Sequence, residues 1–237
     1  GDGSTFHGLI TYDMQTDTII DSAVSSNAPN WVGMSHDGAY AVAGYAGTSV
    51  PFATAAALPM STVVGTRAYV RGSNFASWTQ CCNNNQHGDV AAMADGTPVW
   101  VSHSFSPTMD VGDNVLYFRN MVTGTAYTFP DVNLYSGSDS ANHFSGCAFD
   151  RPGWVVISYQ GGTPSNWKDG TIMLLELTTS AQRHIRLAHH QSNASYDASP
   201  FAVPNRQLTR IAFGSDYLGT TPYEQYMIGL PSDWDTR

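Results

Sequence analysis

The sequence predicts an all-β protein built as a β-propeller with blades of about 55 residues, because four turn-opening residues, Asp37, Asp95, Asp150 and Asn205, recur at spacings of 58, 55 and 55. Each of them stands between a run of small and apolar residues and a strongly β-prone run. Between these hairpins lie further pairs of β-prone runs. One period therefore holds four strands, the content of a propeller blade.

The inner hairpins come first. They are "NWVGMSHDGAYAVAGY" (30–45), "HGDVAAMADGTPVWVSH" (87–103), "HFSGCAFDRPGWVVISY" (143–159) and "ASPFAVPNRQLTRIAFGSD" (198–216). Asp-Gly in two of the turns and Arg-Pro-Gly in a third suit tight turns, since glycine supplies positive φ without steric cost. Small residues, Gly33, Ala91, Ala92, Gly146, Ala148 and Ala202, fall in the first strand of each hairpin. That composition suits the innermost strand, where blades crowd around the axis.

The outer pairs follow. Residues 8–22, 114–129 and 170–187 each read strand, polar turn, strand, and "YEQYMIGL" (223–230) reads as the first half of another pair. Residues 47–80 should hold one more, with "STVV" and "RAYVRG" as its best strand candidates. The nearest approach to a helix is "ATAAALPM", which Pro59 would end. The chain, 1–237, reads as a single propeller domain that starts and stops in the third strand of a blade. Either strands near 9–21 complete the last blade and close a four-bladed ring, or the chain is a portion of a larger propeller that a complementing chain would finish.

Charged residues make up only 12%, about half the usual share. The net charge of −9 argues against a nucleic-acid surface. No apolar run has the length of a membrane span. The low charge and the abundance of Gly, Ser, Thr and Asn suit an extracellular or surface-exposed protein. A signal peptide is expected to have been removed or to lie outside this sequence. In that setting at least one of Cys81 and Cys82 is expected in a disulfide, either vicinal or with Cys147, although an odd count of cysteines is no disulfide framework.

From residue 87 to residue 230 the sequence resembles a group of secreted bacterial and viral propeller proteins. The resemblance rests on "QHGDVAAMADGTPVWV", "HFSGCAFDRPGWVVISY", "RLAHHQSNASYDASPFAVPNRQLTRIAFGSD" and "YMIGLP". More loosely it extends to TolB- and WD40-type repeats and to the propeller of oligogalacturonate lyases. The lyase resemblance implies acidic polysaccharide as the substrate class, and histidines of neighbouring blades holding a divalent metal. No Gln-x-x-His-x-His run accompanies it.

The site is expected at the end of the axis that collects the long loops, where "CCNNNQHGDV" (81–90) reads as an entry loop. His87 and His143 hold equivalent places before their inner strands, so both should approach the axis. Two roles are open to them. They could bind a divalent metal with Asp89 or Gln86, or act with Tyr196 as base and acid in β-elimination from a uronate, an arginine neutralising the carboxylate. Alternatively they tie blades together through hydrogen bonds. Trp31, Trp78 and Tyr159 could stack on sugar faces, with Gln86, Asp89 and Asp197 binding hydroxyls. The function expected is a carbohydrate-binding or carbohydrate-cleaving propeller, lyase-like if catalytic. The alternative is a non-catalytic structural or adhesive module of a cell or virion surface.

Overall fold

A computed structural model describes residues 8–47, 50–83, 87–104, 107–129, 142–159, 168–192, 199–217, 219 and 223–235. The strands fall into five consecutive antiparallel sheets. A leading pair, β1 (Gly8–Asp13) and β2 (Thr18–Val24), comes first. Blade I holds β3 (Trp31–Met34), β4 (Tyr40–Tyr45), β5 (Gly65–Val70) and β6 (Trp78–Cys82). Blade II holds β7 (Gly88–Ala92), β8 (Pro98–Ser104), β9 (Val115–Asn120) and β10 (Ala126–Thr128). Blade III holds β11 (Asn142–Ser145), β12 (Trp154–Tyr159), β13 (Thr171–Glu176) and β14 (His184–His189). A three-stranded blade IV closes the order with β15 (Val203–Pro204), β16 (Arg210–Ser215) and β17 (Glu224–Gly229). The chain is a β-propeller of the kind its repeat predicts.

All four repeat residues lie in the turn between the first two strands of a blade. Three of these side chains brace their turns directly. Asp37 accepts from the Ala39 N–H at 3.0 Å and Asp95 from the Thr97 N–H at 2.9 Å. Asn205 accepts from Thr209 and Arg210 N–H. Asp150 instead binds the next blade, receiving the Arg206 guanidinium at 2.8 Å. Among the described residues β1 and β2 pair only with each other, and β17 pairs only with β16. The strands near 9–21 therefore do not complete blade IV there.

Two expectations about the cysteine stretch are corrected. Cys81 and Cys82 do not open an entry loop but end Trp78–Cys82, the outer strand of blade I. Its polar residues disguise it, and the structure uses them: Gln80 accepts from Arg67 at 2.8 Å and Thr79 donates to the Met121 carbonyl at 2.6 Å. The expected disulfide is also absent, all three cysteines being thiols. Successive strand residues project to opposite faces, which keeps the Cys81 and Cys82 sulfurs apart. Cys147 lies in the inner hairpin turn of blade III, at the other end and radius of the assembly.

Four apolar layers join successive sheets. Leu9 and Ala23 pack on Ala43 and Tyr69; Val42 and Ala68 lie with Trp100 and Tyr117. Val99 and Phe118 meet Val155 and Ile157, and Val156 and Leu174 meet Ile211 and Phe213. Each fully buried side chain of this kind contributes about 1.5–3 kcal/mol. The inner strands come so close that a Cβ on Gly146 would lie 2.0 Å from the Val90 carbonyl oxygen. Only glycine fits.

Two buried arginines pin the long connections. Arg67 (β5) is fully buried, stacks 4.6 Å from the Trp78 ring, and donates to the Ala55 and Leu58 carbonyls at 2.8 and 2.6 Å. Those carbonyls end the single-turn helix α1 (Phe52–Ala57), which is too short to hold itself. Arg119 (β9) donates to the Cys81 and Gly124 carbonyls and to Asp110, and lies 4.3 Å from the Phe52 ring.

Candidate functional site

Antiparallel pairing puts the start of a blade's first strand beside the end of its second. In blade II that brings His87, just before β7, near His103 at the end of β8, because Gly88 pairs with Ser102. The Ser102 hydroxyl donates to the His87 carbonyl at 2.6 Å and fixes this corner. In blade III it places His143 opposite Ser158, next to Tyr159. Lys168 precedes β13 and His190 follows β14, at the same end of the sheet.

Adjacent blades bring two of these side chains into contact. The His87 and His143 rings lie 4.8 Å apart between centroids, tilted by 39°. Phe201, at the entry to blade IV, lies 4.1 Å from the His143 ring on centroids. The two histidines are neighbours across the blade junction, as their equivalent sequence positions imply. Lys168 is buried and sits 5.9 Å from the Tyr159 ring centroid.

Burial disfavours the charged forms of His103, His143 and Lys168. His103 is fully buried, and desolvation, with His87 and Lys168 nearby, brings its pKa down to about 3. His143 comes down to about 4, from desolvation first and the neighbouring His87 second. Desolvation also lowers Lys168, against the attraction of Asp169. Neutral imidazoles and a lysine with a weakened hold on its proton can accept protons, bind a metal or engage an anionic ligand.

Other candidates serve the framework. Asp89 reaches across to blade III, accepting from the Gly146 N–H at 2.9 Å and from its neighbour Val90 N–H at 2.8 Å. Desolvation raises its pKa despite these bonds. His190 bridges the Tyr159 carbonyl at 2.8 Å and the Ser192 N–H at 3.0 Å, so its Nε2 donates and its Nδ1 accepts. Trp31 stacks on Trp100 at 5.0 Å with the rings 5° from parallel, and the Trp31 ring covers Gly44 so closely that a Cβ there would be 2.1 Å from the indole nitrogen. Trp78 sits on outer strand β6 under Arg67, away from the histidine pair. The Tyr159 ring is buried. Gln86, Tyr196 and Asp197 lie outside the described residues.

The histidine pair supplies two imidazoles toward a metal. Among the described residues no group of three or more His, Cys, Asp or Glu is placed to hold one. Asp89, the carboxylate expected to join the pair, is engaged by backbone N–H groups instead. Sequence reasoning missed Lys168 and Phe201. Lys168 carried one signal: it is the only lysine in the chain.

No family model and no curated protein matches this chain. Solved structures do. A complex of KlAtg21 with the coiled coil of AgAtg16 matches with TM-score 0.56 and 10% identity, over 96% of this chain and 60% of that one. A TolB-type protein of Agrobacterium tumefaciens matches with TM-score 0.52 and 11% identity, over 96% and 67%. An oligogalacturonate lyase of Vibrio parahaemolyticus matches with TM-score 0.51 and 15% identity, over 96% and 56%. At these identities the likeness is one of fold. The chain spans 60% of the first of these structures, and 67% and 56% of the other two.

Proposed function

We propose that this chain is an extracellular carbohydrate-binding propeller whose loop-rich axial end takes an acidic polysaccharide and cleaves it by β-elimination. The observation that carries this reading is the contact between His87 and His143 across the blade junction, beside buried His103 and Lys168. A uronate presents a carboxylate and an acidic C5 proton, and this corner offers a cation and neutral imidazoles. Lys168 and the arginines are the sources of positive charge for the carboxylate. His87 or His143 takes the C5 proton, the C4–O bond breaks as the C4=C5 double bond forms, and Tyr196 protonates the departing oxygen. The oligogalacturonate lyase among the structural relatives lends the substrate class, by analogy of fold alone.

The test is a panel of uronate-containing oligosaccharides, read for binding and for the ultraviolet absorbance of an unsaturated product. Binding with product that His143→Ala abolishes supports the lyase reading. One observation favours a second reading, a non-catalytic surface module: Asp89 and His190 act as structural ties at the same end. Binding without product, or neither, selects that module.

A further inference from the structure

Phe201 stands at the entry to blade IV with its ring against His143, 4.1 Å away on centroids and tilted by 43°. Its backbone has a φ of 42°, in the left-handed region that a bulky side chain rarely enters. Glycine would hold that conformation at less cost. The chain on either side enforces it. The Pro200 carbonyl accepts from the Gly214 N–H at 2.9 Å, and the Ala202 N–H donates to the Ser158 hydroxyl at 3.0 Å. Ser158 is the register partner of His143, so the strand pair that positions the imidazole also positions the phenyl ring. Packing does not account for the residue. Ala202, Leu208 and Phe213, which join blades III and IV, are at most 9% exposed, whereas Phe201 is 45% exposed. A strained backbone thus holds an apolar ring half in the open beside the histidine pair. Strain that neighbouring bonds hold in place gathers at ligand sites.

We propose, resting on the polysaccharide reading above, that Phe201 is the sugar-stacking residue of this site: its ring carries the C–H face of the uronate unit adjoining the one that reacts. A uronate holds its hydroxyls and carboxylate at its rim and presents C–H groups on its faces. A flat ring without hydrogen-bonding groups matches such a face and no other part of the sugar. His143 lies against one side of the phenyl ring, so a sugar on the open side sits next to the imidazole rather than on it. Phe201 is therefore a positioning residue, fixing the register of the polysaccharide over the histidine pair. The contact carries no charge. It should be indifferent to salt, unlike the capture of carboxylates by Lys168 and the arginines.

Calorimetric titration of the full chain with tetragalacturonate, alongside the melting of each variant, is the test. Phe201→Leu keeps apolar bulk but loses the flat ring, and it should weaken binding about five- to tenfold. The loss should be the same at low and at physiological salt, and Phe201→Trp should restore the affinity. Phe201→Gly, which relieves the left-handed backbone, should melt within a few degrees of the parent yet bind as weakly as Phe201→Leu. Failure of the parent to bind tetragalacturonate overturns the polysaccharide reading and this role together. Binding by the parent that Phe201→Leu and Phe201→Gly leave unchanged overturns the role alone. So does a loss of binding that tracks a loss of melting temperature, or one that vanishes as salt rises.

Discussion

The carboxylate of Asp89 in blade II accepts a hydrogen bond from the backbone N–H of Gly146 in blade III, at 2.9 Å, and Gly146 has no room for a side chain. The two facts are one relationship, because the close approach of the inner strands makes the bond possible. Asp89→Ala leaves a buried N–H without its acceptor and should cost about 1–3 kcal/mol. Gly146→Ala forces a methyl group onto the Val90 carbonyl and should cost about 3 kcal/mol or more, the upper range of overpacking. Urea denaturation of both variants checks the order. If Gly146→Ala is neutral, the blades are not packed this closely.

Arg67 should not be replaceable by lysine. Its planar fork reaches Gln80 and the two carbonyls at the end of α1 at once, which an ammonium on a longer, narrower stem does not. Arg67→Lys and Arg67→Met should each lower stability by about 2–4 kcal/mol, the range for breaking a buried charged network. Thermolysin should then cut first in residues 50–64. Equal stability of Arg67→Lys and the parent would contradict this.

Acid should weaken the fold before its carboxylates titrate. His103 is brought down to about 3 and His143 to about 4, from an ordinary value of 6.5. An imidazole that stays neutral in the fold but protonates when unfolded contributes stability above pH 6.5. That contribution is lost as pH falls toward the folded values, at on the order of 1 kcal/mol per pH unit for each histidine. Asp89 opposes the trend, since its raised pKa favours the fold on protonation. Asp21, whose pKa is lowered by bonds from Thr11, Gly72 and Asn74 against its desolvation, adds to the loss only below its ordinary 3.8. Melting temperatures between pH 7 and 4.5 should therefore fall, and less steeply in His143→Phe. A flat profile in the parent protein would contradict the buried neutral imidazoles.

The cysteines should separate by access. Cys81 and Cys82 are fully buried, and burial pushes the Cys81 thiol up, whereas Cys147 is only partly covered. Alkylation of the native protein should label Cys147 first, and of the denatured protein all three, as read by intact mass without reductant. A mass that stays short of three labels after unfolding would restore the disulfide.

His87→Ala and His143→Ala distinguish a site from a strut. If the pair serves a ligand, both variants should melt within a few degrees of the parent yet lose uronate binding or turnover tenfold or more. Loss of stability with unchanged binding would make them ties between blades.

The propeller was legible because turn chemistry is local. Asp-Gly at 37–38 and 95–96 demands a tight turn wherever it occurs, and its recurrence fixes the period. The contact between His87 and His143 was legible for the same reason, since equivalent positions in adjacent blades must be neighbours. Outer strand β6 was not, because Thr79, Gln80 and two cysteines carry no alternation. Its strand character comes from pairing with β5 and from the partners its polar groups find there. Arg67 and Arg119 are interior only because the connections fold over them and offer their carbonyls. Asp89 looked like a ligand, and only the approach of Gly146 made it a tie. The sequence by itself determined the period, the turns and the inner hairpins, which depend on a few consecutive residues. Which polar side chains face a ligand and which hold the blades together was decided by tertiary structure, because burial and hydrogen-bond partners come from residues more than fifty positions apart, as Asp89 and Gly146 are.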